Sequence, residues 1–341
     1  MTKYKVGIIG CGNISPMHIL PVMQNEHTTL VAVCDIKKDR VMKKVEEFGC
    51  KWYTNYKEMF KHEALDAVHI CTPHYLHPII TNEALDCGIH VLTEKPMAIQ
   101  LSDAKEMLNR AEINNKALGV IFQTRYNAAS QAIKDALNSG KLGGVKAGRL
   151  YLAWDRSDDY YKKSDWKGTW DKEGGGVIID QAIHTLDLAN WFINKTVDYI
   201  DAHISNRAHD YIEVEDAAEG VIKYKDGTVL AFHTVNYYTY DSDVSIELHC
   251  EKGIVHMKAD QAVIEYNDGR QLVVNNNPSD YFHYGDVKNY WGQSHNKQIR
   301  DFYEAIRENR KPTIDGHEAL TIQKIVCAIY ESGKKNKKIY L

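Results

Sequence analysis

The strongest constraint on the fold lies at the start of the chain. YKVGIIG (Tyr4–Gly10) is a short apolar run rich in β-branched residues, and GCGNIS follows it with Gly10, Gly12 and Ser15. A helix-compatible apolar stretch then runs through Leu20, and LVAVCD (Leu30–Asp35) is a second apolar strand ending in an acid. Strand, glycine turn, helix, strand, and an acid roughly 20 residues past the turn is the pattern of a dinucleotide-binding unit. Gly10 permits the tight turn, and Gly12 lets the pyrophosphate approach the backbone. Asn13 and Ile14 open the helix, whose free N–H groups attract phosphate. Ser15 replaces the usual third glycine and is small enough for helix–strand packing. Asp35 would accept hydrogen bonds from a ribose 2′-OH and repel a 2′-phosphate, which favours NAD. Lys37, Lys38 and Arg40 follow closely and leave NADP open.

The alternation continues. Helices are expected over Lys37–Phe48, His77–Cys87 and Ser102–Asn114, and strands over Ala67–Cys71, His90–Thr93 and Ala117–Phe122. Such alternation predicts a parallel sheet with right-handed crossovers. Ligands of these folds bind beyond the carboxyl ends of the strands. CTP (Cys71–Pro73) and TEKP (Thr93–Pro96) are two such ends, so Thr72, Pro73, His77, Glu94 and Lys95 are candidate cofactor-binding residues. Lys95 either trades protons from a desolvated site or forms an ion pair with Glu94. His18, His74 and His77 are expected to pack or hydrogen-bond rather than catalyse.

A second unusual stretch is EGGGVIIDQAIHTLD (Glu173–Asp187). Three glycines lead into helical spacing that sets Asp180, His184 and Asp187 on one face, with apolar residues over most of the rest. This is either an active-site wall or a core helix with satisfied polar groups. Asp187 either orients the His184 imidazole or caps a neighbouring element. The preceding segment, Asp155–Gly176, is long and irregular, and its Trp166 and Trp170 read as a pocket wall or as core anchors. Beyond Asp187 the period changes to two. Val197–Ile204, Ala217–Tyr224, Thr228–Val235, Val244–Cys250, Gly253–Lys258 and Ala262–Tyr266 read as strands, with hairpin signals at Asp226–Gly227 and Asp268–Gly269. Asn275–Ser294 is a polar, aromatic loop containing Tyr281, Tyr284, Tyr290 and Trp291. His295–Arg307 and Glu318–Ser332 read as closing helices.

The length of 341 residues suggests two domains, placed at 1–125 and 126–341. The net charge of -4, with dispersed lysines, argues against nucleic-acid binding. No apolar run is long enough for a membrane span. Seven cysteines, an odd number without CxxC spacing, point to neither a disulfide framework nor a zinc ribbon, and a cytoplasmic location is expected. Asp180 and His184 are one turn apart, but no HExxH or Cys/His cluster completes a metal site, and no catalytic metal is expected.

GCGNIS, Asp35, CTPHYLH, ALDCGIHVLTEKP and GGGVIIDQAIHTLD resemble, in order and spacing, the Gfo/Idh/MocA family of glucose–fructose oxidoreductase and inositol dehydrogenase. The likeness runs over nearly the whole chain. It implies an α/β plus α+β architecture: an N-terminal Rossmann domain and a C-terminal domain with a large open, mostly antiparallel sheet. It implies NAD(P)-dependent hydride transfer between nicotinamide and a hydroxyl carbon of a sugar, polyol, cyclitol or sugar derivative. By position, Lys95 and His184 become the proton-transfer residues and Asp180 a substrate-binding or orienting group. The aromatic loop would set Trp166 against a sugar ring, and the glycines would let backbone pass close to substrate or nicotinamide. The free sheet face points to a homodimer or homotetramer. An alternative is redox-neutral glycoside cleavage by oxidation, elimination and reduction with a retained NAD. A non-catalytic dinucleotide sensor is disfavoured by the presence of Lys95, Asp180 and His184. The resemblance does not name the sugar.

Overall fold

A computed structural model describes residues 3–277 and 294–341. Tyr281, Tyr284, Tyr290 and Trp291 of the aromatic loop lie outside the described residues. Residues 3–123 and 294–320 form one compact unit, and 124–277 and 321–341 form the other.

The first unit carries a six-stranded parallel sheet in the order β3-β2-β1-β4-β5-β6. Its strands are β1 (Tyr4–Ile9), β2 (Thr28–Cys34), β3 (Lys51–Tyr53), β4 (Ala67–Ile70), β5 (His90–Thr93) and β6 (Leu118–Val120). Between them run α1 (Pro16–Gln24), α2 (Lys38–Phe48), α3 (Tyr56–His62), α4 (His77–Asp86) and α5 (Leu101–Ile113). The order reverses direction at β1/β4, the switch point at which such sheets bind nucleotides. The short β3 and α3 carry too few apolar residues to show a period in the sequence.

In the second unit α6 (Ala128–Asn138), β7 (Val145–Ala153), the short α7 (Asp158–Lys162) and α8 (Ile183–Ile193) precede a run of strands. These are β8 (Val197–Ser205), β9 (Ala217–Tyr224), β10 (Val229–Val235), β11 (Ser245–Cys250), β12 (Gly253–Lys258), β13 (Gln261–Tyr266) and β14 (Gln271–Asn275). Helices α9 (His295–Arg307) and α10 (Gly316–Lys335) and the short β15 (Ile339–Tyr340) end the chain. The nine-stranded sheet has the order β14-β13-β12-β11-β7-β10-β9-β8-β15 and is antiparallel except where β10 runs parallel to β7. Both Asp–Gly signals fall between paired antiparallel strands, β9/β10 and β13/β14. α6 packs on β12–β14 through Ala129, Ile133 and Ala136, and α8 packs on β7.

Two sequence expectations differ from this structure. The boundary read after residue 125 has no counterpart for α9, whose Ile299, Phe302 and Tyr303 join Val6, Ile8, Leu92 and Ile121 in the first core. Gln298 extends that docking: its amide donates to the Val120 carbonyl (2.7 Å) and accepts from the Phe122 N–H (3.0 Å). An amphipathic pattern shows that a helix buries a face but not against which sheet. The segment after the three glycines also begins as a π-helix, Val177–Ala182, before α8, so helical spacing across the join is not that of one α-helix.

Candidate active site

The glycine turn of the first unit is set by packing. Gly10 has φ +97°, and a Cβ there would lie 2.4 Å from the Cys71 carbonyl oxygen, so the β1 and β4 ends close only around glycine. A Cβ at Gly12 would meet nothing within 4 Å, which leaves the turn open to a ligand. Ser15 is fully buried and donates its hydroxyl to the Gly12 carbonyl at 2.8 Å, so the replacement of glycine is accommodated. Asp35 sits against this turn. Its Oδ2 accepts the Cys11 N–H and its Oδ1 the Lys37 N–H, both at 2.8 Å.

The loops after β4 and β5 meet at His77, whose Nε2 lies 2.8 Å from the Thr72 carbonyl oxygen and whose Nδ1 lies 2.7 Å from that of Pro96; the neutral ring that burial favours donates to one of the two. The sequence placed His77 among the cofactor contacts. Both its ring nitrogens face backbone carbonyls, so it orders the two loops. The Thr72 hydroxyl is buried with no hydrogen-bond partner among the described residues. An orphan hydroxyl on the β4 end is the kind of group a ligand satisfies. The open Gly12, Asp35 against the turn and this hydroxyl together fit a dinucleotide.

Glu94 is buried, and its Oε1 takes hydrogen bonds from His18 Nε2 (3.0 Å) and His295 Nε2 (3.3 Å). Its Oε2 accepts the Lys95 N–H at 3.2 Å. Burial pushes the Glu94 carboxyl up, but the two histidine bonds outweigh that and hold it well below the usual carboxylate range. His18, Glu94 and His295 also place one ligand atom each within 4.8 Å of one another, as a metal site would. The hydrogen bonds account for the Glu94 distances without an ion. Lys95 is half-buried and precedes the cis-Pro96.

In the second unit Asp180 is the hub. Its Oδ2 accepts from Lys167 Nζ (2.6 Å), the Tyr160 hydroxyl (2.5 Å) and Gln181 Nε2 (2.7 Å). Lys167 also lies 4.6 Å from the ring centroids of Tyr160 and Trp166. Burial would lower the Lys167 pKa, but the Asp180 carboxylate beside it, foremost among its acidic neighbours, outweighs that and holds the ammonium well above its ordinary value. Tyr160 and Lys167 were not singled out by the sequence, since a Tyr and a Lys in a segment rich in both carry no local signal. Trp166 lies in this cluster. Trp170 serves as an anchor: its indole N–H donates to the Glu213 carbonyl (2.8 Å) and its ring packs edge-on to Tyr330.

His184, half-buried, begins α8. Asp187, the third polar residue of that stretch, is held from another element. Both its oxygens bind Arg125, at 2.6 and 2.7 Å, with the two side chains 1% and 6% exposed.

Two glycines of the triplet have a protein-internal explanation. A Cβ on Gly175 would lie 2.0 Å from the Tyr330 hydroxyl and one on Gly176 1.9 Å from the Glu215 carbonyl oxygen. Packing within the unit is by itself enough to require glycine at both positions. The Glu215 carboxylate accepts the Gly176 and Ile178 N–H groups (2.9 and 3.0 Å), and the Tyr330 hydroxyl accepts the Ile179 N–H (3.1 Å). Together they satisfy the free donors of the helix start.

Residues 4–122 match the model of the oxidoreductase family with an NAD-binding Rossmann fold, and residues 130–256 match the GFO/IDH/MocA C-terminal domain. The chain belongs to the Gfo/Idh/MocA family. Its structure is similar to the WlbA dehydrogenase of Bordetella pertussis in complex with NADH and UDP-GlcNAcA, with 27% identity, a TM-score of 0.88, and 100% of this chain and 98% of that chain covered. The 1,5-anhydro-D-fructose reductase of Ensifer adhaerens is 27% identical over 72% of this chain and 73% of its own length. The myo-inositol 2-dehydrogenase of Thermotoga maritima is 22% identical over 92% of this chain and 91% of its own. This member of the family is thus an NAD(P)-dependent oxidoreductase with the expected Rossmann unit and mostly antiparallel sheet unit. No described helix is long and apolar enough to cross a membrane.

Proposed function

We propose that this oxidoreductase moves a hydride between nicotinamide and a hydroxyl carbon of a sugar, polyol or sugar derivative. The observation that carries the reading is the Asp180 cluster. Asp180, Lys167 and Tyr160 are three polar side chains held in register beside the aromatic face of Trp166, an arrangement suited to hydroxyl groups and the C–H face of a sugar ring. The full-length likeness to a dehydrogenase holding NADH and a nucleotide sugar supports it.

Gly10, Gly12, Asn13 and Ile14 would cradle the pyrophosphate, Asp35 the ribose, and Thr72, Pro73, Glu94 and Lys95 the nicotinamide half. The cofactor supplies the hydride acceptor. His184 and Lys95 are the proposed proton-transfer residues, His184 having the intrinsic pKa for a base near neutrality. Asp180 is a substrate-orienting group, its Oδ2 fixed in place by three donors.

The open face of the sheet carries Arg149, Tyr151, His233, Glu247, His256 and Lys258 around a shallow hollow of ≈ 600 Å³. Mixed charge and exposed aromatic surface suit a second copy of the chain, so a homodimer or homotetramer is part of this reading. So is a cytoplasmic location, which the seven free thiols fit.

The experiment is a substrate panel. Reduced-nicotinamide absorbance is followed with NAD or NADP over sugars, polyols, sugar acids and nucleotide sugars. Steady turnover with one class is expected, with loss of at least about 100-fold in kcat for His184→Ala or Lys95→Ala. Retained cofactor without turnover, together with aglycone release from glycosides, would replace this reading with redox-neutral cleavage.

A further inference from the structure

Behind β5 the buried polar groups form one chain. His18 Nε2 is 3.0 Å from Glu94 Oε1, His18 Nδ1 is 3.0 Å from His69 Nδ1, and His69 Nε2 is 2.8 Å from the Tyr303 hydroxyl. His295 Nε2 approaches the same Glu94 oxygen at 3.3 Å. All five residues are at most 8% exposed.

With neutral imidazoles, the protons of this chain have a single consistent arrangement. An ionised Glu94 only accepts, so His18 and His295 both donate from Nε2. A neutral His18 must then accept at Nδ1, which makes His69 Nδ1 a donor and His69 Nε2 the acceptor of the Tyr303 O–H. Burial depresses the basicity of His18 and His69, in keeping with neutral rings. Each hydrogen bond of the chain is therefore polarised towards Glu94, and the group as a whole carries one buried negative charge. The other carboxylate oxygen holds the Lys95 N–H.

We infer that Glu94 is a fixed anion that biases the bound cofactor towards its oxidised form, with His18, His295, His69 and Tyr303 as positioning residues. Glu94 is the first residue beyond β5, at the strand ends where this fold holds its dinucleotide. The nicotinamide ring is a cation when oxidised and neutral when reduced. A buried negative charge at these strand ends would favour the ring cation over the neutral ring by Coulomb attraction, by an amount on the order of tenfold in the affinity ratio. Oxidation of a hydroxyl carbon sends its hydride to the ring and its proton to a base, and the ring cation is neutralised. The anion opposes that step and favours the reverse, in which the ring gives hydride to a carbonyl carbon. The inference rests on dinucleotide binding and not on which sugar is used.

The test compares Kd for NAD+ and for NADH. In Glu94→Gln, affinity for NAD+ is expected to fall roughly tenfold relative to that for NADH. In His295→Leu the ratio should match the parent near pH 8 and drift towards that of Glu94→Gln as pH falls to about 5.5, because a carboxylate with one donor fewer protonates sooner. A ratio within about twofold of the parent in Glu94→Gln, or equal losses for both cofactor forms, would overturn the inference. If Glu94→Gln does not fold, the His295→Leu series decides alone, and a pH-independent ratio overturns it. Stoichiometric zinc retained through dialysis and lost in His295→Leu would overturn it too, since a metal ion cancels the anion.

Discussion

The Lys167 ammonium lies 2.6 Å from Asp180 Oδ2, and the Tyr160 hydroxyl reaches the same oxygen at 2.5 Å. Two residues of the irregular segment that follows β7 are thereby pinned to the π-helical turn that follows the glycines. Such a carboxylate orients its neighbours.

Lys167→Met should strand Asp180 without its cation. With the pair's side chains 16% and 8% exposed, a loss of about 3 kcal/mol in unfolding free energy is expected from denaturant titration. KM should rise more than kcat falls, since the variant disorders a binding wall and leaves His184 and Lys95 in place. Lys167→Arg should recover part of both. A Lys167→Met enzyme with unchanged KM would show that the cluster has no part in substrate binding.

Arg125 and Asp187 form a buried bidentate pair, and Arg125 also stacks 5.4 Å from the Trp191 ring centroid. Asp187→Asn removes the carboxylate charge that the buried guanidinium faces, at a cost of about 3–5 kcal/mol. Arg125→Met combined with Asp187→Leu should recover much of this, because two apolar side chains leave no buried charge. The check is a double-mutant cycle by chemical denaturation. An additive cycle would mean that the two residues do not act as a pair.

Gly176→Ala should be among the most damaging single substitutions in the chain, at about 4 kcal/mol or more. Its Cβ meets backbone, the Glu215 carbonyl, which cannot swing away. Gly175→Ala meets the Tyr330 ring instead and should be partly relieved by Tyr330→Phe, which removes the nearest atom. Soluble expression and thermal melts of the three variants would test this order.

Stability should fall as pH rises from about 6.5 to 8, above the range in which the buried histidines His18, His69, His77 and His90, whose basicity burial lowers, pull the other way. Burial pushes the Glu173 carboxyl up to about 8 and the Glu215 carboxyl up to about 7, both from an ordinary 4.5. In that window the native state binds more protons than the unfolded chain, so unfolding free energy decreases with pH. The contribution is complete below about pH 4.5 and lost on passing the raised values. Glu173→Gln, already neutral, should flatten the slope. Melting temperatures across pH for the parent and Glu173→Gln provide the measurement, and parallel curves would rule Glu173 out as the titrating group.

Much of this fold is local in origin and legible in the sequence. The glycine turn, Asp35 and the alternation of periods needed no tertiary knowledge, because β-branched runs, turn glycines and helical spacing act over a few residues. The expected strand at His90–Thr93 and helix at His295–Arg307 coincide with β5 and α9. By contrast β3, α3 and β14 are too short or too exposed to show a pattern, and the sheet partner of α9 is a long-range choice.

The candidate site divides the same way. The sequence by itself determined which residue types were available: a lysine after a buried strand, and an acid and an imidazole four apart. Only the tertiary structure decided their company. It gave Asp187 to Arg125 and Asp180 to Lys167 and Tyr160. It tied Glu94 to His18 and His295 from elements far apart in the chain, and made Gly175 and Gly176 a packing requirement against Tyr330 and Glu215. Periodicity reports the face on which a side chain lies. Hydrogen-bond partners, collisions and buried charge depend on which distant segments fold against that face, and one sequence read locally carries no measure of that.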